Sequence, residues 1–555
     1  MRRISIIIAT ASLALVLAAP ALPAFAQDDP HAACAVPPSY VPAELLERPI
    51  PLRQGIGNTR EPVTTANAEA QAFYDQGLNF VESYVWIEAS RSFHQALRLD
   101  PNFAMAYLGL SRVASGLDNA DAAKTFFEKA KALAPSLSDR ERRLLDIREK
   151  QLAAIDDVAD AARFLAYKKA IDDALAKDLD DPQLWVLRGT AEEVNASGRG
   201  QRGGAGSVAF YEMALKLVPD HATAHHYLVH SYETIGEIDK ALEHGERYAR
   251  LAPMVPHAAH MWGHDLRRVG RVDEAIEQFL KVDALERAYY AAEKIAPDLD
   301  WHHAHNLDIL ASCYEHKGQM KLAEKTMRES ADLKIVSAYR AFNVRELPNF
   351  LIHQARYEEA LASALGMTGT EYPQSRSVGH ALAGQAHLGL GRVKEAKVQL
   401  AAAQKELDTV PTATIGLDPT RAMVKPWVEA LRGEMLLREG KKDEGRAVLK
   451  DVVKGLRATF GPDAWSQALF RMESMARMAR DVGDWELAEF LAAQMLDHDA
   501  AYGGSHLAQA LVLARKGDDA GAAKAMEAAK RYWRDADPEL AELTRVAVER
   551  ATGRP

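Results

Sequence analysis

A small residue, an aromatic residue, a second small residue and a proline recur along this chain at fixed distances. That spacing admits few folds other than stacked helical hairpins. Residues 89 to 101 read ASRSFHQALRLDP, placing Ala89, Phe93, Ala96 and Pro101 at steps of four, three and five, with Gly77 twelve positions ahead of Ala89. Small side chains at those places let two helices approach closely, the phenyl ring fills the gap between them, and proline ends the second helix. The spacing returns with Ala123, Phe127, Ala130 and Pro135, and again with Tyr211, Ala214 and Pro219. Later segments keep a glycine five residues before a small residue: Gly236/Ala241, Gly270/Ala275, Gly318/Ala323, Gly391/Ala396, Gly440/Gly445, Gly483/Ala488 and Gly517/Ala522. Apolar residues recur at three- and four-residue spacing, and no useful Val/Ile-rich alternating stretch appears, so the expected class is all-α. One hairpin cannot bury its own apolar face, so the units must stack, and about ten are expected between Ala68 and Arg554.

These positions resemble the signature of the tetratricopeptide repeat, or TPR. The resemblance implies a TPR-type α-solenoid, a right-handed superhelix of helical hairpins. Its first helices would line a concave groove, and that groove would take a protein or peptide partner.

The first residues read as an address. Arg2 and Arg3 precede an apolar run from Ile4 to Ala19, and Ala24-Phe25-Ala26 forms a small-x-small cleavage site before Gln27. Residues 1–26 are therefore expected to be a signal peptide and the mature protein to be periplasmic or secreted. No later run is apolar enough for a membrane span. The formal charge is −10, and it becomes −12 once the two leader arginines are removed, which disfavours nucleic acid as a partner. Seven prolines between Pro30 and Pro62 make residues 27–65 an expected extended, disordered tether. Residues 66–137 then read as N-terminal repeats. Residues 138–220 read as a longer helical segment, opening with a capping box from Ser138 to Glu141, followed by a repeat whose Gly-rich run 198–206 is expected to be a flexible insertion. His-rich repeats occupy 221–337 and looser repeats 338–555, where Trp427, Trp465, Trp485 and Trp533 read as solenoid packing. Only Cys34 and Cys313 occur, and they are expected to stand unpaired.

Twelve of the 19 histidines lie between His221 and His316. In the register set by Ala241, Ala275 and Ala323, first-helix positions 2, 5, 9 and 12 share one face. The first unit places Thr223, His226, His230 and Glu233 there, the second His257, His260, His264 and Arg267, and the third His305, Asp308, Ser312 and Glu315. The pairs His226/His230 and His260/His264 stand 34 residues apart, one repeat length, so stacking would bring them side by side. Imidazoles on adjacent helices can then converge on one ion at about 2.0–2.1 Å, with His257, His305, Asp308 and Glu233 as further donors. The donor types suit a transition metal such as zinc, iron or copper. The competing reading is a groove whose histidines hydrogen-bond a peptide or a small acid. Burial in a core is the least expected arrangement, because this face points away from the hairpin's own interior. His221, His225 and His303 lie off the face and read as packing or surface residues.

The segments AHHYLVH (224–230), HAAHMWGH (257–264) and HAHN (303–306) together resemble a branch of exported bacterial TPR proteins with paired histidines. The branch pattern is HHxYxHA, then HxxHMPSH, then a His-Asn pair opening the next helix. The resemblance implies roles for His226, His230, His260, His264, His305 and Asn306. Trp262-Gly263 replaces the branch's Pro-Ser, and Asp308 stands where a second histidine is usual, which implies a changed ligand set.

No nucleophile elbow, His-Glu-x-x-His motif or dinucleotide fingerprint occurs, so the chain reads as a scaffold rather than an enzyme. The alternative is a metal-dependent enzyme or metal carrier using the same histidines, with Glu233 or Glu315 as general base.

Overall fold

The structure, a computed structural model, describes residues 41–412, 419–458 and 462–552. The signal peptide and Cys34 lie outside the described residues. From Pro38 onward the chain forms one compact unit. It is a TPR-type α-solenoid of packed helical hairpins, with no strand among the described residues. No described helix is long and apolar enough to cross a membrane.

The spacing rule works through close approach. Helices Ala68–Val81 and Trp86–Leu99 form the first hairpin, and the fully buried Phe93 ring lies between Gly77 of the partner helix and Gly109 of the next helix, Ala104–Gly116. A Cβ on Gly77 would stand 2.6 Å from that ring and one on Gly109 2.4 Å, so only glycine lets the three helices meet there. Tyr211 against Gly189 and Phe279 against Gly263 repeat the device. Gly236, Gly270, Gly318, Gly391, Gly440, Gly483 and Gly517, the glycines of the looser units, all sit at positive φ, where they end one helix and turn the chain into the next.

Three expectations need correction. Residues 41–65 are not a disordered tether. They form a strap whose Val41, Leu45, Ile50 and Ile56 are buried, and whose backbone is held largely by side chains of the repeats. Arg91 Nη2 donates to Pro49 O, Gln76 Nε2 to Pro51 O, Met254 N to Gly55 O, and Asn58 bridges Asp220 O and Ala222 N. Proline forbids helix here, yet an extended strand of chain can still dock where the repeats present polar side chains at its spacing. The Gly-rich run is likewise packed rather than loose: Arg199 Nη2 donates to Ser115 O, and Tyr84 Oη to Arg199 O. The 138–181 stretch breaks into two antiparallel helices, Asp139–Asp156 and Ala161–Leu175, although the capping box at Ser138 and Glu141 forms as expected.

The solenoid closes on its histidine-rich middle from both ends. The turn between the first two hairpin helices lays Tyr84 on His226 and His257, with ring centroids 4.9 and 5.1 Å apart. Tyr248 Oη donates to Ser83 Oγ at 2.9 Å, and Trp301 Nε1 to Tyr84 O at 3.3 Å. From the other end, Arg267 Nη1 and His316 Nε2 both reach Asp499 Oδ2 at 3.0 Å. Trp533 Nε1 donates to His316 O, and Asp537 N to Gly318 O.

Candidate metal centre

Helix Ala222–Ile235 carries His226 and His230 one turn apart, and helix Pro256–Arg268 carries His257, His260 and His264. Helix Trp301–His316 adds His302, His303 and His305. All of these imidazoles are buried. Burial therefore replaces the open groove face expected from the register, because the turn at Tyr84 and the C-terminal hairpins cover what a single hairpin leaves outside.

The sequence placed both histidine pairs on one ion; the structure separates them into two triads. His226, His230 and His257 offer ring nitrogens within 4.8 Å of one another, and so do His260, His264 and His305. Each triad joins positions 5 and 9 of one unit to position 2 of the next, so the second repeats the construction of the first. A donor on the first turn of a helix reaches back over the preceding hairpin.

In the first triad, His226 Nε2 lies 3.2 Å from His230 Nε2 and 3.0 Å from His257 Nε2. Its Nδ1–H donates to Glu82 O at 2.8 Å, which leaves a single lone pair on Nε2 facing two other rings. One lone pair cannot satisfy two donors. A tetrahedral ion with ligands at about 2.0–2.1 Å, in contrast, separates its ligand atoms by roughly 3.3 Å, close to these spacings. Burial holds the His230 imidazole down to about 3, and burial followed by neighbouring imidazoles holds His226 and His257 well below their usual value, so all three are neutral imidazoles.

In the second triad, Asn306 Nδ2 donates to Phe279 O, which turns its Oδ1 toward His260 Nδ1 at 3.0 Å. His260 Nε2 is thereby left bare, and neither it nor either nitrogen of His264 has a hydrogen-bond partner among the described residues. Buried polar atoms without partners cost about 1–3 kcal/mol each, which a bound ion would relieve. Burial and then the charges of adjacent imidazoles lower His260 and His264 well below the usual range.

Other expected ligands lie outside the triads. Glu233 stands between them, 3.9 Å from His230 Nδ1 and 3.7 Å from His264 Nδ1, the position of an orienting carboxylate. Asp308 faces Arg340 at 3.9 Å instead of a metal, since its helix position turns it toward the neighbouring hairpin. Arg267 pairs with Asp499, and Glu315, a candidate general base, is bound to His353. His225 lies 2.8 Å from His244, and His221 caps its helix.

Three residues, His302, Glu286 and Asp265, escaped the sequence reading. His302 sits between the triads, with ring centroids 5.1 Å from His257 and 4.6 Å from His260. Glu286 accepts from its Nδ1 at 2.5 Å and from His303 Nδ1 at 2.9 Å, while His302 Nε2 is buried without a hydrogen-bond partner. Asp265, buried beside Glu233, has its carboxyl raised by burial and by that neighbouring charge. The HHAHN run signalled His302, but its position off the helical face hid its role.

The family model "Tetratricopeptide repeat" matches residues 104–137, which are the second hairpin. That match covers one hairpin within a run of hairpins built alike. No curated protein sequence matches it. Among solved structures, yeast Tom70 is similar at 12% identity, covering 75% of this chain and 92% of that one with a TM-score of 0.37. A tetratricopeptide repeat protein from Parabacteroides merdae ATCC 43184 is 14% identical over 52% of this chain and 99% of that one, with a TM-score of 0.35. YrrB, described as a TPR protein with an unusual peptide-binding site, is 14% identical over 36% of this chain and 93% of that one, with a TM-score of 0.25.

Proposed function

We propose that this protein is a TPR scaffold holding transition-metal ions at two repeat-related three-histidine sites. The observation that carries this reading is the approach of three Nε2 atoms within 3.0 and 3.2 Å around His226. All-imidazole sets suit zinc or copper, and also iron, whereas hard calcium and magnesium ions demand oxygen ligands. Three protein ligands leave a fourth position open, the pattern of reactive rather than purely structural sites. The reading includes export, which rests on the leader-like residues 1–26 alone. A peptide or protein partner of the scaffold belongs on surfaces other than the histidine face, because that face is buried.

Elemental analysis of protein purified without a histidine tag tests the metal reading. About two equivalents of one transition metal per chain are expected. A protein that takes up no stoichiometric zinc, copper or iron, and whose melting temperature ignores all three, would refute it.

A further inference from the structure

His302 stands between the two triads and belongs to neither. Its ring lies edge-on to a member of each, with centroids 5.1 Å from His257 at 77° and 4.6 Å from His260 at 65°. An added helical turn puts it there. The equivalent helices of the two preceding hairpins, Ala222–Ile235 and Pro256–Arg268, begin one residue before Thr223 and His257, whereas Trp301–His316 begins about one turn earlier relative to His305.

Glu286 fixes the His302 tautomer. Its Oε1 accepts from His302 Nδ1 at 2.5 Å and its Oε2 from His303 Nδ1 at 2.9 Å, so the His302 proton sits on Nδ1 and Nε2 carries a lone pair. That nitrogen is buried and has no hydrogen-bond partner among the described residues. His260 cannot supply one, because its own N–H, on Nδ1, is spent on Asn306 Oδ1 and its Nε2 is equally bare. A ring kept only for packing would strand this acceptor, a loss that a phenyl ring of similar size avoids. A carboxylate on one nitrogen with the other left bare is instead the wiring of a histidine that binds metal.

We infer that His302 is a relay ligand, which passes a transition-metal ion with a filled d shell, such as zinc, between the two three-histidine sites inside the protein. The inference rests on those sites holding metal. Three protein ligands leave zinc an open fourth position, and its filled d shell imposes no geometry, so an incoming imidazole can be taken up before another is released. His302 Nε2 bonds to the ion at one triad as that triad's bonds break, and it leaves again as bonds to the other triad form. Only metal–nitrogen bonds are exchanged, and no proton or electron is transferred. All six triad imidazoles are buried, so the same journey through water would require the covering helices to open twice.

Two-dimensional cadmium exchange spectroscopy of the full chain, purified without a histidine tag, tests the relay. Cadmium, a filled-shell probe for zinc, should give two resonances joined by exchange cross-peaks whose rate is independent of free cadmium and of protein concentration. His302→Gln should slow that exchange at least tenfold, on resonances whose areas report how far each site is filled. Glu286→Gln, which loosens the His302 ring, should slow it by a smaller factor. Two resonances without cross-peaks, exchange that scales with free cadmium, or an undiminished rate in a folded His302→Gln protein overturns the inference. The wild-type spectra alone decide the matter if both variants misfold. Cadmium held at two sites without exchange removes only the relay, whereas no stoichiometric cadmium binding removes the three-histidine sites and the relay with them.

Discussion

His257 Nε2 lies 3.0 Å from His226 Nε2, although the two residues belong to successive hairpins. His305 completes the second triad in the same way, from the hairpin after His260 and His264. Two sites built by one rule from different residues should be separable by mutation. His226→Ala should remove one equivalent of metal and leave the other, and His260→Ala should do the converse. Mass spectrometry of the native protein reads the stoichiometry directly. Loss of both ions from either single variant would show instead a single indivisible cluster.

Phe93 and the two glycines around it make the packing rule testable. Adding a Cβ at Gly77 drives it to 2.6 Å from the Phe93 ring, so Gly77→Ala should cost about 1–3 kcal/mol by overpacking. Pairing it with Phe93→Leu should recover part of that loss, because the narrower side chain makes room. A double-mutant cycle in urea measures the coupling, and strict additivity would mean that the close approach is not what the glycine provides.

The hairpins were legible because their determinants are local: a glycine facing a ring, an alanine seam and a glycine at positive φ each leave a mark at fixed spacing. The six triad histidines were legible for the same reason, as repeat positions 2, 5 and 9. Burial was not, because it depends on where distant segments land. Tyr84 and Asp499 reach the His-rich helices only after the superhelix has turned, and no spacing near His226 announces them. The strap at 41–65 was misread for a related reason. Its prolines correctly excluded helix, but whether extended chain docks depends on partners such as Gln76 and Arg91, which lie elsewhere in the sequence.

His353 lies buried between two carboxylates, Glu315 and Glu473, with Nε2 2.9 Å from Glu473 Oε2. Burial alone would lower its pKa, but the two acids outweigh it and lift His353 to about 9. Burial opposes ionisation of both acids; the His353 charge prevails at Glu473, which is held low, while burial prevails at Glu315, which is raised. A histidine raised in the folded state contributes stability that is complete below its unfolded value near 6.5 and disappears as pH rises through about 9. The protein should therefore lose up to about 3 kcal/mol between pH 6.5 and 10, and His353→Gln should be less stable at pH 6.5 while losing less over that interval. Chemical denaturation at the two pH values checks this, and equal losses in both proteins would contradict it.

Asp499 carries the closure of the C-terminal hairpins onto the middle of the chain. Its Oδ2 accepts from both Arg267 and His316 at 3.0 Å, and all three residues are buried. Burial works against its charge, yet His316 and the Arg267 guanidinium, both hydrogen-bonded to it, prevail and hold the carboxyl far below the usual range. Removing the charge would strand the Arg267 guanidinium in a buried site where Nε and Nη2 already have no hydrogen-bond partner, an arrangement that costs about 3–5 kcal/mol. Because Asp499 lies at the junction of two parts of the solenoid, the loss should appear first as local opening. Asp499→Asn is therefore expected to expose the segment beyond Trp485 to protease at temperatures where the wild type resists, and to raise amide exchange in helix Gly503–Lys516 before helix Ala68–Val81. Uniform loss of protection along the whole chain would mean that the closure is not a separable contact but part of one cooperative unit.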